Sequence, residues 1–165
     1  MPNWCLNTLT ITADPNLVPT GVDYSPIEKL IVANNTEEHF LQHMRPMPDE
    51  LKETTAPNDS GINWYNWRVE NWGTKWEVNA DVDWDEETKT LHVTFDSAWA
   101  PPIEALQYWA DQHPEFCLEL SYWEPGMAFV GSWSSLGADE HYNYAEYSSD
   151  TVREHIPDYL SLIHI

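Results

Sequence analysis

An α+β fold, with one antiparallel sheet and two helices on one of its faces, follows from three features of the sequence. Apolar residues alternate with polar ones over residues 3–12 and 76–84, the period of two expected of strands. Two stretches, 26–44 and 103–110, repeat apolar residues at helical spacing. Between them, residues 64–76 (WYNWRVENWGTKW) hold four tryptophans and a tyrosine in thirteen positions.

That block organises the rest. At helical pitch Trp64, Tyr65, Trp67, Trp72 and Trp76 fall on one half of a cylinder, an arc wide enough to be enclosed by several elements. Each aromatic side chain buries roughly 150–250 Å², so the block is expected to be a buried helical plug inserted into the fold at about residues 45–75.

Taken in order, the first strand places Cys5, Leu9 and Ile11 on one face and Trp4, Leu6, Thr8 and Thr10 on the other. Asp14-Pro15-Asn16 ends it. Ser25-Pro26 supplies an N-cap and a first-turn proline for a helix over 26–44, with a break at Asn34-Asn35-Thr36 and Thr36 capping the second half. The prolines of RPMPDEL at 45–51 exclude regular helix there, and 52–61 is polar loop. Trp76, Val78, Ala80, Val82 and Trp84 alternate with Glu77, Asn79, Asp81 and Asp83, and a turn at 85–88 leads into a partner strand at 90–95. Ala100-Pro101-Pro102 starts a helix and His113-Pro114 stops it. Residues 116–123 form a strand, Glu124-Pro125-Gly126 a turn, and 127–133 the returning strand.

Two split strand-helix-strand halves on one sheet give the ferredoxin-like arrangement, extended by an extra C-terminal strand. In it the 3–12 strand runs antiparallel to the 116–123 strand, which places Cys5 and Cys117 at opposite ends of the pair, too far apart for a disulfide. The expected organisation is a domain over 1–134 and a partly ordered acidic tail over 135–165, with a weak terminal strand at 159–165.

Composition narrows the function. The chain has 28 Asp plus Glu against 7 Lys plus Arg, a formal net charge of −21. Such a field repels nucleic acid, anionic membrane and phosphorylated substrates and attracts basic protein surfaces. The opening Met1-Pro2-Asn3-Trp4 lacks a basic n-region and an apolar run, and no window reaches the roughly 18 apolar residues of a membrane span. A cytoplasmic protein is expected.

Several stretches resemble a known family: MPNWC at 1–5 with Asn7, PMPDEL at 46–51, the tryptophan block, FDSAWAPP at 95–102 and YWEPGMAFVGSW at 122–133 are similar to the YubB-like proteins of bacteriophages and plasmids. The resemblance covers roughly residues 1–134 and implies a ferredoxin-like domain, an accessory gene of a mobile element and a host bacterial cytoplasm. It carries no catalytic residues.

Motifs for chemistry are sparse. Gly73-Thr74-Lys75 lacks the longer glycine-rich run of a phosphate loop, so Arg68 and Lys75 are expected to stack on indoles or pair with Glu70 and Glu77. His39 and His43 share a helical face with no carboxylate placed as a general base, Cys5 has no identifiable base, and Ser132, Ser134 and Ser135 lack a nucleophile-elbow context. No enzyme, metal or cofactor is expected.

The acids form two candidate patches: Glu77, Asp81, Asp83, Asp85, Glu86 and Glu87 on the solvent face and turn of the hairpin, and Asp139, Glu140, Glu146 and Asp150, continued by Glu154 and Asp158, in the tail. In number, 28 carboxylates match the phosphates of about 14 base pairs. The leading expectation is a non-enzymatic binder of a basic host-protein surface, such as a defence nuclease, that presents carboxylates in place of phosphates. The alternatives are a ligand-binding module with several of Trp64, Trp67, Trp72, Trp99 and Trp133 facing solvent as a platform for sugars or bases, and a plain interaction domain whose acidity keeps it soluble.

Overall fold

The computed structural model describes residues 3–137 and 139–143. Six strands form one sheet, β1 (Trp4–Ala13), β2 (Asp81–Asp85), β3 (Thr90–Ala98), β4 (Phe116–Glu124), β5 (Phe129–Ser134) and β6 (Asp139–Asn143), in the order β2-β3-β1-β4-β5-β6. Every neighbouring pair is antiparallel. The four strands β2-β3-β1-β4 carry the ferredoxin-like order, and β5 and β6 continue the sheet beyond β4.

The helices are α1 (Ser25–Asn34), α2 (Phe40–Met44), α3 (Trp64–Asn71) and α4 (Ile103–Gln112). Alternation on the strands aims Leu9, Ile11, Leu91, Val93, Leu118 and Leu120 at Ile27, Leu30, Phe40, Leu41, Leu106 and Trp109, and all twelve are buried. Removing this apolar surface from water, at roughly 25 cal/mol per Å², is the main stabilising contribution.

The 26–44 region breaks where expected, but its caps differ from the sequence reading. Asp23, not Ser25, satisfies the start of α1, its carboxylate accepting from Ser25 N at 3.0 Å and Ser25 Oγ at 2.9 Å. Thr36 lies outside α2 and its hydroxyl donates back to Ala33 O at 3.0 Å. The first turn of α2 is instead capped by Glu77, which accepts from Leu41 N at 2.7 Å and Gln42 N at 2.9 Å.

Two further expectations are corrected. The strand expected over 76–84 is strand only from Asp81, because Glu77 turns inward to α2 and Ala80 O accepts from Asn34 Nδ2 at 2.9 Å, outside the ladder. The tryptophan block is one plug residue with partly exposed neighbours. α3 ends at Asn71, and Gly73 takes a φ of +89° where an added Cβ would lie 3.1 Å from Pro101 O. Trp72 alone of the block is fully buried; Trp64 and Trp67 are half-buried, and Tyr65 and Trp76 are exposed.

Cys117 pairs opposite Thr12, seven residues along β1 from Cys5, and both thiols are free. Cys5 is buried, and Cys117 is half-buried. The strand expected at 159–165 lies outside the described residues. Trp72→Ala is expected to cost about 3–5 kcal/mol in a urea unfolding titration, and Trp64→Ala, at a half-buried position, less than half as much.

Candidate functional site

Residues opposite one another in an antiparallel pair share a face. On the face turned away from the helices, Trp4 lies opposite Ala98, Leu6 opposite Asp96 and Trp123, Asp81 opposite Thr94, and Asp83 opposite His92. This face therefore runs from an aromatic end, where β1 begins and β3 finishes, to an acidic edge on β2.

Within the hairpin patch the expected acids have different roles. Asp81, Asp83 and Glu87 are exposed. Asp85 closes the β2–β3 turn by accepting from Glu87 N at 3.0 Å and Thr88 N at 3.3 Å, and the Thr88 N–H holds its carboxyl below the usual range. Glu86 pairs with Lys89 and accepts from Trp84 Nε1 at 2.7 Å; the Lys89 contact holds its carboxyl low. Glu77 does not face solvent as expected. It is the half-buried cap of α2, and burial raises its carboxyl above the ordinary value against the pull of three backbone N–H groups, those of Val78, Leu41 and Gln42.

The second patch is not brought to the first. Asp139 and Glu140 lie on β6, five strand spacings from β2, about 24 Å across the sheet. They alternate between its two faces, Asp139 opposite Trp133 and Glu140 opposite Ser132. Glu146, Asp150, Glu154 and Asp158 lie outside the described residues.

The aromatic end is built by the chain leaving α3. Trp72 N bonds to Arg68 O at 2.7 Å, Gly73 turns the backbone, and Thr74 Oγ1 donates to Ala98 O at 2.8 Å. This sets Lys75 and Trp76 beside the end of β3. Trp99 follows with a φ of +73°, a region costly for a residue with a Cβ, and its N–H is held by Asn3 O at 2.8 Å. The Lys75 ammonium lies 4.5 Å from the Trp76 ring and 5.5 Å from the Trp99 ring. Trp4 meets Trp76 with centroids 6.0 Å apart and planes tilted by 45°. Trp4, Trp76 and Trp99 expose 43%, 37% and 50% of their surface, a large apolar exposure concentrated at one end of an acidic molecule.

Two clefts flank this cluster. One, of about 250 Å³, is walled by Tyr65, Val69, Lys75 and Trp99; the other, of about 290 Å³, by Met47, Lys52, Trp64, Arg68 and Trp76. Arg68 sits 5.3 Å from the Trp64 ring and 4.8 Å from the Trp72 ring and donates to Lys75 O at 3.4 Å, and burial lowers its pKa. Both cations thus stack on indoles as expected, and among the described residues neither forms an ion pair with Glu70 or Glu77.

Beneath this end lies a buried polar cluster with a structural role. Asn7 Nδ2 donates to Cys5 O at 3.0 Å and to Ser97 Oγ at 2.9 Å, and Ser97 Oγ donates to Ala100 O at 2.6 Å. Glu124 accepts from Gly126 N at 2.8 Å and Met127 N at 2.6 Å, fixing the β4–β5 turn. Burial, with the Glu124 charge, pushes Cys5 up to about 12, so at neutral pH it is a thiol and not a nucleophile. His43 Nδ1 lies 3.0 Å from Glu38 Oε1, and among the described residues no three His, Cys, Asp or Glu side chains group to hold a metal ion. No helix among them is long and apolar enough to cross a membrane.

Of the five tryptophans from which a platform would draw several, only Trp99 is exposed; Trp72 and Trp133 are buried and Trp64 and Trp67 half-buried. Trp4 and Trp76 were not among those expected. The signal for Trp4 was its place on the polar face of the β1 alternation with Leu6, Thr8 and Thr10.

Sheet order and site together define a small ferredoxin-like domain with an aromatic end and an acidic edge. A family model described as the ferredoxin-like domain in Api92-like protein matches residues 71–155, just over half of the 165 residues, and the chain belongs to that family. Among solved structures, the protein api92 from Yersinia pseudotuberculosis is similar with a TM-score of 0.46 and 11% identity over 90% of this chain and 100% of that one. No curated protein matches the sequence.

Because the folded Glu77 pKa is raised, the native state holds its proton more tightly than the unfolded chain does, and stability falls as pH rises from the ordinary glutamate range through the folded value. Glu77→Gln is expected to flatten that part of the pH–stability curve in urea titrations. Glu77→Ala is expected to destabilise by about 1–2 kcal/mol through loss of the α2 cap.

Proposed function

We propose that this chain is a non-enzymatic binding module that docks a protein partner with a basic surface, using Trp4, Trp76 and Trp99 as anchors and Asp81, Asp83 and Asp96 as an acidic surround. The observation that carries the reading is the meeting of three partly exposed indoles at one end of the sheet, Trp4 against Trp76 and both Trp76 and Trp99 beside Lys75. Tryptophan anchors ringed by charge are the usual anatomy of an energetic centre in a protein interface, and a net charge of −21 selects and steers a basic partner.

The tilt between Trp4 and Trp76 supports a knobbed protein surface over the flat face of a sugar or base. Carboxylate mimicry of phosphates is the narrower form of the reading. It rests on Asp81, Asp83 and Glu87, since Asp85 and Glu86 are held by the turn and Glu77 by α2. A nucleic-acid enzyme of a bacterial host, met by a phage- or plasmid-encoded accessory protein in its cytoplasm, is the partner class that this charge favours.

Capture from bacterial lysate at low salt, with identification of what elutes as salt rises, tests the reading. A basic protein is expected to elute by about 0.2–0.3 M salt. Trp4→Ala or Trp76→Ala is expected to weaken its affinity tenfold or more, and the double variant Asp81→Asn/Asp83→Asn to slow association and flatten the salt dependence. Capture that survives all of these changes would overturn the proposal.

A further inference from the structure

The block holds two cations, each placed between two indoles. Arg68 lies between Trp64 and Trp72, and its Nη1 is tied to Lys75 O. Trp72 is fully buried and its Nε1 donates to Arg45 O at 2.8 Å, so that sandwich belongs to the folded core. Lys75 lies between Trp76 and Trp99, and here both rings are partly exposed. Its ammonium makes no ion pair among the described residues, in a chain carrying 28 acids.

Trp99 is held in its strained backbone geometry from both sides. Its own N–H bonds to Asn3 O, and Ala98 O accepts from both Thr74 Oγ1 and Ala100 N, at 2.8 Å and 2.9 Å. The ring is half exposed, beside a cleft of about 250 Å³.

Resting on the docking reading above, we infer that Trp76 and Trp99 form a clamp for a cationic side chain of the partner, with Lys75 as a resident occupant that the incoming cation displaces. Ring faces attract a cation through their quadrupole, and the surrounding field of −21 concentrates cations at the surface. Lys75 can leave at little cost, because its compact ammonium is strongly hydrated and its stem is flexible. Arginine is the favoured entrant. Its planar guanidinium is more weakly hydrated than an ammonium and stacks on aromatic faces, so exchanging Lys75 for an arginine is downhill where exchanging it for another lysine is nearly level.

The probes are octa-arginine and octa-lysine peptides, titrated by tryptophan fluorescence at low salt against the full chain. Octa-arginine is expected to bind more tightly. Lys75→Met removes the resident cation from the clamp and is expected to tighten octa-arginine binding fivefold or more. Lys29→Met removes the same charge on α1 and is expected to change it less than twofold. Trp99→Gly, which suits the positive φ, and Trp99→Leu, which keeps apolar bulk, are each expected to weaken binding at least fivefold.

Equal effects of Lys75→Met and Lys29→Met, or octa-arginine affinity within twofold of wild type in either Trp99 variant, would overturn the clamp. If binding then still depends on Trp4, Asp81 and Asp83, the docking face stands without it. Failure of wild type and every variant to bind either peptide would overturn both.

Discussion

The indole of Trp72 is the constraint on which the rest of the molecule depends. It is fully buried, its Nε1–H is satisfied by Arg45 O beyond α2, and its carbonyl accepts from Ala105 N in α4 at 3.3 Å. One residue thus joins three helical elements that are distant in sequence, with a buried polar N–H whose desolvation cost is offset by its hydrogen bond. The backbone leaving it runs along Ala98 and Pro101, which brings Lys75, with Trp76 beside it, to Trp99. The exposed aromatic end is a geometric consequence of the buried one.

The charge has a similar division of labour. Some carboxylates are spent on architecture: Asp23 on α1, Glu77 on α2, Asp85 on the β2–β3 turn and Glu124 on the β4–β5 turn, each accepting backbone N–H groups. Backbone capping of this kind serves as well as a side-chain hydroxyl and orders a turn without a basic partner. Acids such as Asp81 and Asp83 remain in solvent, where they shape the long-range field without committing to any one contact. A count of acids therefore overstates what is available to a binding partner.

Much of the fold was legible in the sequence. The alternation of β1, the proline boundaries of α4 and the β2–β3 hairpin all agree with local chemistry, and the antiparallel pairing of β1 with β4 followed from the element order. What was not legible depends on tertiary contacts. Trp76, Val78 and Ala80 continue the period of two across a segment that is not strand, because the fold uses Glu77 as a distant helix cap. Helical spacing grouped Trp76 with Trp72, although Gly73 ends the helical path between them. The site was legible in its parts, as exposed indoles and stacked cations, but its membership was not: Trp4 joins Trp76 through a contact between residues 72 positions apart.

The edge strand β2 has one side of its backbone unpaired by any described strand, with Asp81, Asp83 and Asp85 at every second position. Such an edge is a template for another copy's strand, and like charges repeated along it oppose that growth. At neutral pH mutual repulsion along this edge opposes pairing between copies. Acid strong enough to neutralise aspartates would remove that guard, so the same ladder that colours the surface negative also sets the conditions under which the purified material stays dispersed.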